Sequence, residues 1–327
     1  MHAPRFWDKH DSVLGKILNP FGQLYAWSVA SRLKSVKPYQ ASVPVICVGN
    51  IAVGGVGKTP VCLALGRLLQ RMHQPFYFLN HGYKAEQQGV LVDRLKHSAL
   101  DVGDEALLLN EMAHTIVDSN RARGAQLAEK LGAKLLVMDD GFQHPSLVKT
   151  FSFVVVDGKK GFGNERVLPA GPLREPVVKG LARADALIIV GEDTWGVKFF
   201  LERHNIDLPI FSGHFELDST VVSLFRGKKV FAFAGIGNPQ KFFDSLNEQD
   251  ITVVQTQKFP DHYAYTRFDI EEMKKKAYDL PILTTEKDGV KVPREVRQNV
   301  YVMPGQFTFD DEKAVTTLLK GLIDVGD

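Results

Sequence analysis

The chain has little cysteine, no long apolar run and almost no net charge. It contains only Cys47 and Cys62 in 327 residues, which excludes a disulfide framework and is typical of a reducing compartment. No apolar stretch approaches the roughly 18 residues that a membrane-spanning helix needs, and the N-terminus lacks the basic-then-apolar pattern of a signal peptide. We therefore expect a folded globular protein that stays in the cytosol.

The few excess charges are placed unevenly. The net charge is +2, but residues 1–37 hold six basic and two acidic side chains, so this segment carries +4 and the remainder −2. This balance argues against nucleic-acid binding by the main body. It indicates that the N-terminal segment meets an anionic partner.

The N-terminal segment also has an apolar face. Val13, Ile17 and Phe21 recur at helical spacing, and Asn19-Pro20 is typical of a helix start, with Asn19 as cap. The pattern predicts two short amphipathic helices. An apolar face with aromatic residues and basic flanks suits a helix that lies in a membrane surface, while the alternative is a helix pair packed on the core.

From residue 44 onward, strand and helix signals alternate. Short apolar strands separated by helices predict an α/β fold, a mostly parallel P-loop NTPase-like sheet with helices on both faces. Alternating residues at 209–222 suggest antiparallel strands in a connecting ribbon, and a second α/β series begins at Lys229. We therefore predict N-terminal amphipathic helices at 1–40, a nucleotide-binding core at 41–210 and a smaller α/β lobe at 211–327 that completes the cleft.

A glycine-rich turn lies between the first of these strands and a helix. Residues 49–60 read GNIAVGGVGKTP and follow the apolar run 44–48, which is the strand, turn and helix start of a nucleotide phosphate loop. Lys58 would reach the β- and γ-phosphates, and the Thr59 hydroxyl would ligate Mg²⁺. The backbone expected to surround the phosphates is that of Gly54, Gly55, Val56 and Gly57. The alternative is a glycine-rich turn with a chance Gly-Lys-Thr.

A pair of carboxylates follows a later strand. Asp139 and Asp140 end the apolar run 135–138, and ligands bind at the carboxyl ends of strands in open α/β sheets. A carboxylate there can hold Mg²⁺ directly or through water. An acidic pair can also be a simple cap or turn, but together with the phosphate loop the metal site is favoured.

Three further strings carry reactive side chains. Asp104 and Glu105 open a helix, where carboxylates are also ordinary capping residues. His262 lies in the loop 259–263 beside a carboxylate, and an Asp–His pair would supply the base that a hydroxyl-phosphorylating enzyme needs. The proline-rich segment 167–176 contains an Arg-Glu pair, either a phosphate-facing arginine or a surface ion pair.

Together these strings resemble the tetraacyldisaccharide 4′-kinase family, the lipid A 4′-kinases of outer-membrane biosynthesis. The match extends over nearly the whole chain, including GIGNP at 235–239 and TTEKD at 284–288. DDGFQH at 139–144 and LPAGPLREP at 168–176 are highly specific. The chain is thereby identified as a member of that family.

The resemblance implies an ATP- and Mg²⁺-dependent lipid kinase. It would phosphorylate the 4′-hydroxyl of a tetraacyl glucosamine disaccharide 1-phosphate to give lipid IVA, as a peripheral, monotopic monomer on the cytoplasmic face of the bacterial inner membrane. On the nucleotide side, the resemblance implies that Lys58 and Thr59 bind the phosphates and Mg²⁺, that Asp139 and Asp140 organise the metal, that Glu105 and Glu175 lie near the metal and nucleotide, and that Arg174 lies near the phosphates. On the acceptor side, it implies that Asp104 and His262 form the pair that activates the hydroxyl. It also implies a set of residues that face the sugar and its 1-phosphate: Tyr83, Arg121, His144 and Asn238.

The chain departs from the family pattern in two places. The family commonly reads Ser-Arg-Gly-Tyr-Gly after the second strand, whereas residues 80–84 read NHGYK, so the arginine contact is lost or passes to His81 or Lys84. Ala106 replaces a usual proline and changes only the helix start. Two other functions are kept open: a P-loop NTPase switch whose N-terminal helices dock a protein, and a kinase for a soluble small molecule.

Overall fold

The computed structural model describes residues 4–324. The strands are β1 (Val45–Gly49), β2 (Tyr77–Asn80), β3 (Val90–Leu91), β4 (Thr115–Val117), β5 (Leu136–Asp139), β6 (Phe151–Asp157), β7 (Ala186–Val190), β8 (Ile210–Leu217), β9 (Lys229–Ala234), β10 (Thr252–Lys258), β11 (Ile282–Thr285), β12 (Tyr301–Met303) and β13 (Gly305–Phe309). The α-helices are α1 (Val13–Ser35), α2 (Lys58–Arg71), α3 (Ala99–Val102), α4 (Asp104–Asn110), α5 (Arg121–Lys130), α6 (Val177–Leu181), α7 (Val197–Arg203), α8 (Ser219–Phe225), α9 (Pro239–Glu248), α10 (Arg267–Ala277), α11 (Glu286–Gly289) and α12 (Glu312–Asp324).

A nine-stranded sheet forms the larger part of the molecule. Its order is β13-β8-β7-β6-β1-β5-β2-β4-β3, and every pair is parallel except β13 with β8 and β3 with β4. Alternate residues of β1 enter opposite cores: Cys47 packs with one layer, and Ile46 and Val48 pack with the other. Both faces are therefore covered, which explains why the central strands β1, β5 and β7 are mostly apolar. The predicted α/β fold is confirmed.

The order of strands determines where the functional side chains lie. β1 is central and is flanked by β5, with Val48 opposite Asp139 in the register. β2 lies on the other side of β5. Because parallel strands end at the same edge, the phosphate loop after β1, Asp139 at the end of β5 and Asn80 at the end of β2 meet there.

A smaller lobe is inserted into the large sheet. It contains the parallel sheet β10-β9-β11-β12 and lies between β8 and β13 in the chain. Asp218, directly after β8, donates its N–H to the carbonyl of Pro304, directly before β13, at 2.9 Å, so the two connections run side by side. By sheet membership, the smaller lobe spans about 218–304, and the chain then returns to the large sheet.

Two expectations for this region differ from the structure. The predicted division at 210/211 cuts through the large sheet, because β13 and α12 belong with the core. The antiparallel pairing predicted within 209–222 is made by β8, but its partner is the distant β13, and residues 219–222 lie in α8. β8 also pairs in parallel with β7, so it is part of the sheet and not a separate ribbon.

The N-terminal helix is continuous, so the break predicted at Asn19-Pro20 is wrong. α1 runs from Val13 to Ser35 with Pro20 inside it. A proline costs a helix one backbone hydrogen bond, here to the carbonyl of Lys16, but both residues are exposed and water can satisfy that carbonyl. Tertiary packing along the helix keeps the backbone helical through the proline.

The packed side of α1 is a stripe of small residues. Gly15, Gly22 and Val29 recur every seven residues and are buried. A Cβ at Gly22 would lie 2.7 Å from the carbonyl oxygen of Val167, so only glycine permits this close approach to the segment 164–170. None of the helices within residues 4–324 is long and apolar enough to cross a bilayer.

Candidate active site

The phosphate loop connects β1 to α2 in an open, glycine-dependent conformation. Gly54 and Gly57 have φ angles of 113° and 92°, in the left-handed region that favours glycine. A Cβ at Gly54 or Gly55 would meet nothing within 4 Å, so the loop borders free space. The N–H of Val53 donates to the Pro172 carbonyl at 2.8 Å, which fastens the loop to the proline-rich segment.

Asp139 lies directly beside the start of α2. Its carboxylate accepts hydrogen bonds from Thr59 Oγ1 at 3.0 Å and Asn80 Nδ2 at 3.2 Å, and the side chain is only 1% exposed. The second oxygen, Oδ1, is buried without a hydrogen-bond partner. Burial and the charge of Glu105 raise the pKa of Asp139 to about 7, against the opposing charge of Lys58.

This donor set fits a magnesium ion. A buried carboxylate oxygen without a partner, next to a threonine hydroxyl, is a ligand pair that a hard cation would satisfy. Among residues 4–324, no three His, Cys, Asp or Glu side chains are grouped to hold a metal by themselves. Mg²⁺ typically takes one or two carboxylates and completes its octahedron with water and nucleotide phosphates, so a sparse site agrees with it.

Asp140 has a different role from its neighbour. It lies 3.5 Å from Lys58 Nζ and 3.1 Å from Arg174 Nη1. Burial opposes ionisation, but Lys58 and Arg174 hold the pKa of Asp140 below its usual value. The Asp140 carboxylate therefore orients Lys58 and Arg174 beside the phosphate loop. The oxygen without a hydrogen-bond partner, Oδ1, belongs to Asp139.

The two residues of the Arg-Glu pair in the proline-rich segment have different partners. The N–H of Arg174 donates to the Ile51 carbonyl at 2.8 Å, which places its guanidinium against Asp140. Glu175 is buried and accepts from Gln143 Nε2 at 3.0 Å and Arg183 Nη2 at 2.8 Å. Glu175 is thus held in a network with Gln143 and Arg183, and Gln143 belongs to the DDGFQH turn.

Arg121 does not face an open surface, contrary to the predicted sugar contact. Its side chain is 1% exposed and donates to the backbone carbonyls of Asp118 at 3.0 Å, Asp139 at 3.1 Å and Asp140 at 3.0 Å. Its Nη1 and Nη2 donate to backbone carbonyls at the ends of β4 and β5, and its Nε is buried without a hydrogen-bond partner. Arg121 supports the carboxylate pair from beneath.

Asp104 and His262 meet across the two lobes. Asp104 is the first residue of α4 in the large lobe, and His262 lies in the loop after β10 in the small lobe. The imidazole Nδ1 is 3.1 and 3.0 Å from the two carboxylate oxygens. Burial raises the pKa of Asp104, but the His262 hydrogen bond and the charges of Lys287 and Lys291 outweigh it and lower that pKa.

A lysine connects this pair to the phosphate site. Lys287 Nζ lies 3.4 Å from Glu105, 3.5 Å from Asp261 and 3.9 Å from Asp104. Glu105 in turn is close enough to raise the pKa of Asp139. The two clusters are therefore neighbours on one cleft between the lobes. In the sequence, Lys287 belongs to the TTEKD string, and only a charged run after a predicted strand distinguishes it.

Two further predicted residues, Tyr83 and Asn238, are exposed, and Tyr83 lies beside His262. Tyr83 is 54% exposed, and its ring lies 5.1 Å from that of His262. Lys84 Nζ lies 5.6 Å from the centroid of the Tyr83 ring. Of His81 and Lys84, the two candidates to replace the family arginine, Lys84 therefore contacts this tyrosine. Asn238 is exposed at the start of α9 and caps it with no side-chain hydrogen bond.

His144 is half-buried among cations. Burial lowers its pKa to about 4, with further lowering by Arg121, Lys149, His81 and Arg32. Nδ1 is 3.0 Å from Ser146 Oγ, and Lys149 Nζ donates to the His144 carbonyl at 2.6 Å. This corner therefore has a positive electrostatic potential that would attract an anionic group.

The depressed pKa of His144 predicts a pH-dependent stability. Between pH 6.5 and about 4 the unfolded imidazole binds a proton and the folded one does not, so stability is lost as the pH falls. We expect the free energy of unfolding of the His144→Gln variant to fall less than that of the wild type over this pH range. Urea unfolding at several pH values measures it; a difference in unfolding free energy between the proteins that stays constant across this window would contradict it.

Comparison with known proteins agrees with this geometry. A family model described as tetraacyldisaccharide-1-P 4′-kinase, LpxK, matches residues 14–324. The tetraacyldisaccharide 4′-kinase of Paramagnetospirillum magneticum is 43% identical over 321 residues, which cover 97% of this chain and 98% of that protein. The tetraacyldisaccharide 4′-kinase of Rhodospirillum rubrum is 42% identical over 327 residues, covering 99% and 98%.

A solved structure extends the similarity to the whole fold. The "apo" form of LpxK from Aquifex aeolicus, crystallised in complex with ATP, matches with a TM-score of 0.76 at 28% identity, over 95% of this chain and 100% of that one. The resemblance inferred from the motifs is thereby confirmed. The chain belongs to the tetraacyldisaccharide-1-P 4′-kinase family.

Proposed function

We propose that this chain transfers the γ-phosphoryl group of ATP to the 4′-hydroxyl of a tetraacyl glucosamine disaccharide 1-phosphate. Membership of a kinase family makes it an ATP-dependent phosphotransferase. The observation that carries the assignment to a hydroxyl acceptor is the Asp104–His262 pair, which lies beside the phosphate site and joins the two lobes. A base held at the meeting of two lobes suits the activation of a hydroxyl acceptor that binds between them.

On the donor side, the chain supplies positioning and charge. Phosphoryl transfer needs little covalent assistance from the protein, so cations and backbone N–H groups carry most of the catalysis. Lys58 and Arg174, both oriented by Asp140, would contact the β- and γ-phosphates. Thr59 and Asp139 would hold Mg²⁺, which when bound neutralises charge on those phosphates.

On the acceptor side, His262 would act as the base. Asp104 accepts the hydrogen bond from Nδ1, which leaves Nε2 as the unprotonated nitrogen of the neutral ring. As the 4′-oxygen forms its bond to the γ-phosphorus, its proton passes to Nε2, and Asp104 stabilises the resulting imidazolium. The ADP oxygen leaves as the bond to the γ-phosphorus breaks.

The acceptor would bind where Tyr83, His144 and Asn238 border the cleft. Tyr83 offers an exposed aromatic face next to His262, against which a sugar ring can pack. The positive corner around His144 and Lys149 suits the 1-phosphate. Arg121 contributes to that potential from its buried position and, in this proposal, makes no direct contact.

Helix α1 would hold the protein on the membrane surface. Ile17, Phe21 and Leu24 are 63%, 61% and 63% exposed and lie on the side of the helix opposite the packed glycines. A contiguous exposed apolar face with basic neighbours is the pattern of a helix that lies in the headgroup region. A peripheral position on the cytoplasmic, anionic surface of the inner membrane, where the glycolipid resides, follows from this proposal.

The membrane assignment predicts a selective effect of charge on α1. Phe21→Glu should weaken binding to phosphatidylglycerol-containing vesicles by about 10- to 100-fold, because burying a phenylalanine contributes roughly 1.5–3 kcal/mol. Gln23→Glu adds the same charge at an exposed polar position and should bind much like the wild type. Vesicle co-sedimentation measures both, and equal binding of the two variants would contradict the proposed orientation.

The function itself is tested by product analysis. Purified full-length protein is incubated in detergent with Mg²⁺, ATP and a tetraacyl disaccharide 1-phosphate, and the lipid is analysed by mass spectrometry. We expect a lipid heavier by one phosphoryl group only when both substrates are present. ATP hydrolysis that ignores the lipid would favour an NTPase switch, and phosphorylation of a lipid-free disaccharide at equal rate would favour a soluble acceptor.

A further inference from the structure

Lys291 is a buried lysine to which the proposed mechanism gives no role. It follows α11, and its side chain is only 3% exposed. Its ammonium lies 2.9 Å from Asp288 Oδ1 and 3.2 Å from the carbonyl of Gly235. Removing an ammonium group from water is costly unless its partners are well placed, so this arrangement calls for an explanation.

The partner carboxylate fixes Lys291 firmly within the small lobe. Asp288 is fully buried and accepts hydrogen bonds from the N–H of Gly235, from Tyr265 Oη at 2.9 Å and from Thr285 Oγ1 at 2.7 Å. These donors come from the end of β9, the loop after β10 and the end of β11. The position of Lys291 is therefore set by its own lobe.

From this position Lys291 faces the catalytic pair of the other lobe. Its Nζ lies 3.8 Å from Asp104 Oδ2, the same oxygen that is 3.0 Å from His262 Nδ1. Lys287 reaches that oxygen only at 3.9 Å and divides its charge among Asp104, Glu105 and Asp261. Lys291 is the less exposed of the two cations and the one that Glu105 does not engage.

We propose that Lys291 is a positioning residue for phosphoryl transfer. It holds the Asp104 carboxylate in the orientation that receives His262 Nδ1–H, and so it aims Nε2 at the acceptor hydroxyl. It touches neither substrate and acts only through Asp104. The inference rests on the proposed function, because it assigns Lys291 a part in the hydroxyl activation described above.

The test is a double-mutant cycle in the full-length protein. Lys291→Met should lower kcat about tenfold, within the range of coupling between contacting residues, and leave the KM for ATP within about twofold of the wild type. In a His262→Ala background the same substitution should change kcat by less than about twofold, because the pair it positions is gone. Equal losses in both backgrounds would overturn the proposal.

Folding is controlled separately, since Lys291→Met leaves Asp288 buried without its cation. The double variant Asp288→Asn/Lys291→Met removes both charges and should regain thermal stability while kcat stays low. Recovery of kcat together with the melting temperature would overturn the proposal in favour of a purely structural lysine. Lys274→Met, on an exposed site of α10 in the same lobe, should retain wild-type kcat.

The outcome distinguishes this inference from the proposed function. If wild-type protein forms no phosphorylated lipid, the proposed function fails and the inference falls with it. If wild-type protein forms product and the cycle shows no coupling between Lys291 and His262, only the inference fails.

Discussion

Asp139→Asn should lower kcat by about 10³-fold, the range seen when one preorganised electrostatic group is removed from a transition state. The substitution keeps size and shape and removes the charge whose free oxygen, Oδ1, would face Mg²⁺. Because the amide can still accept from Thr59 and Asn80, we expect the fold to be retained. Steady-state rates of lipid phosphorylation, with a thermal unfolding curve for each protein, measure the effect.

The chain offers a matched control for this substitution. Asp157 ends β6, the neighbour of β1 on the side opposite β5, and its carboxylate accepts from the N–H groups of Lys159 and Lys160. Asp157→Asn therefore changes an aspartate at the same edge of the sheet whose described side-chain hydrogen bonds lie within its own turn, and kcat should be unchanged. Near-normal turnover by Asp139→Asn would remove Asp139 from the metal site.

His262→Ala should lower kcat by about 10²- to 10⁴-fold, the usual contribution of a general base, and leave ATP affinity intact. The histidine lies on the acceptor side of the cleft, and its described contacts are with Asp104, Asp261 and Tyr83 and not with the phosphate loop. Initial rates and equilibrium titration with a fluorescent ATP analogue separate the two effects. Lost nucleotide binding would instead make His262 a binding or folding residue.

His214 provides the corresponding control. It also stands between carboxylates, 3.1 Å from Asp310 and 2.6 Å from Glu216, but on strand β8 away from the cleft residues described above. His214→Ala should therefore retain wild-type kcat. If His214→Ala lowers kcat as much as His262→Ala does, loss of any histidine–carboxylate pair would explain the effect. The role of His262 as the base would then be unsupported.

Local patterns were sufficient for the donor half of the site. A glycine's freedom at positive φ, a hydroxyl one residue after a lysine and a carboxylate at the end of an apolar strand are all properties of short segments. The phosphate loop at 49–60 and Asp139 were therefore predictable before any fold was known. Their meeting also followed, because parallel strands end at a common edge.

Local patterns misled where packing overrides propensity. Asn19-Pro20 has every feature of a helix start, but α1 passes through it because Gly15, Gly22 and Val29 bury one continuous side of the helix. Arg121 looked like a ligand group, but burial against the carbonyls of Asp139 and Asp140 makes it a support. The course of α1 and the surroundings of Arg121 both depend on contacts with distant segments, which composition and periodicity do not encode.

The amino-acid sequence alone specified the chemical groups of this protein: a phosphate loop, a carboxylate suited to a metal, an amphipathic N-terminal segment and motifs specific to one kinase family. Which of these side chains act together depends on the packing of the two lobes. Asp104 and His262 are 158 residues apart and meet because the small lobe is inserted between β8 and β13, facing the cleft. Lys291 lies beside Asp104 for the same reason. Contacts of this kind depend on how the cores of the large and small lobes pack against each other, and no local sequence pattern encodes that packing.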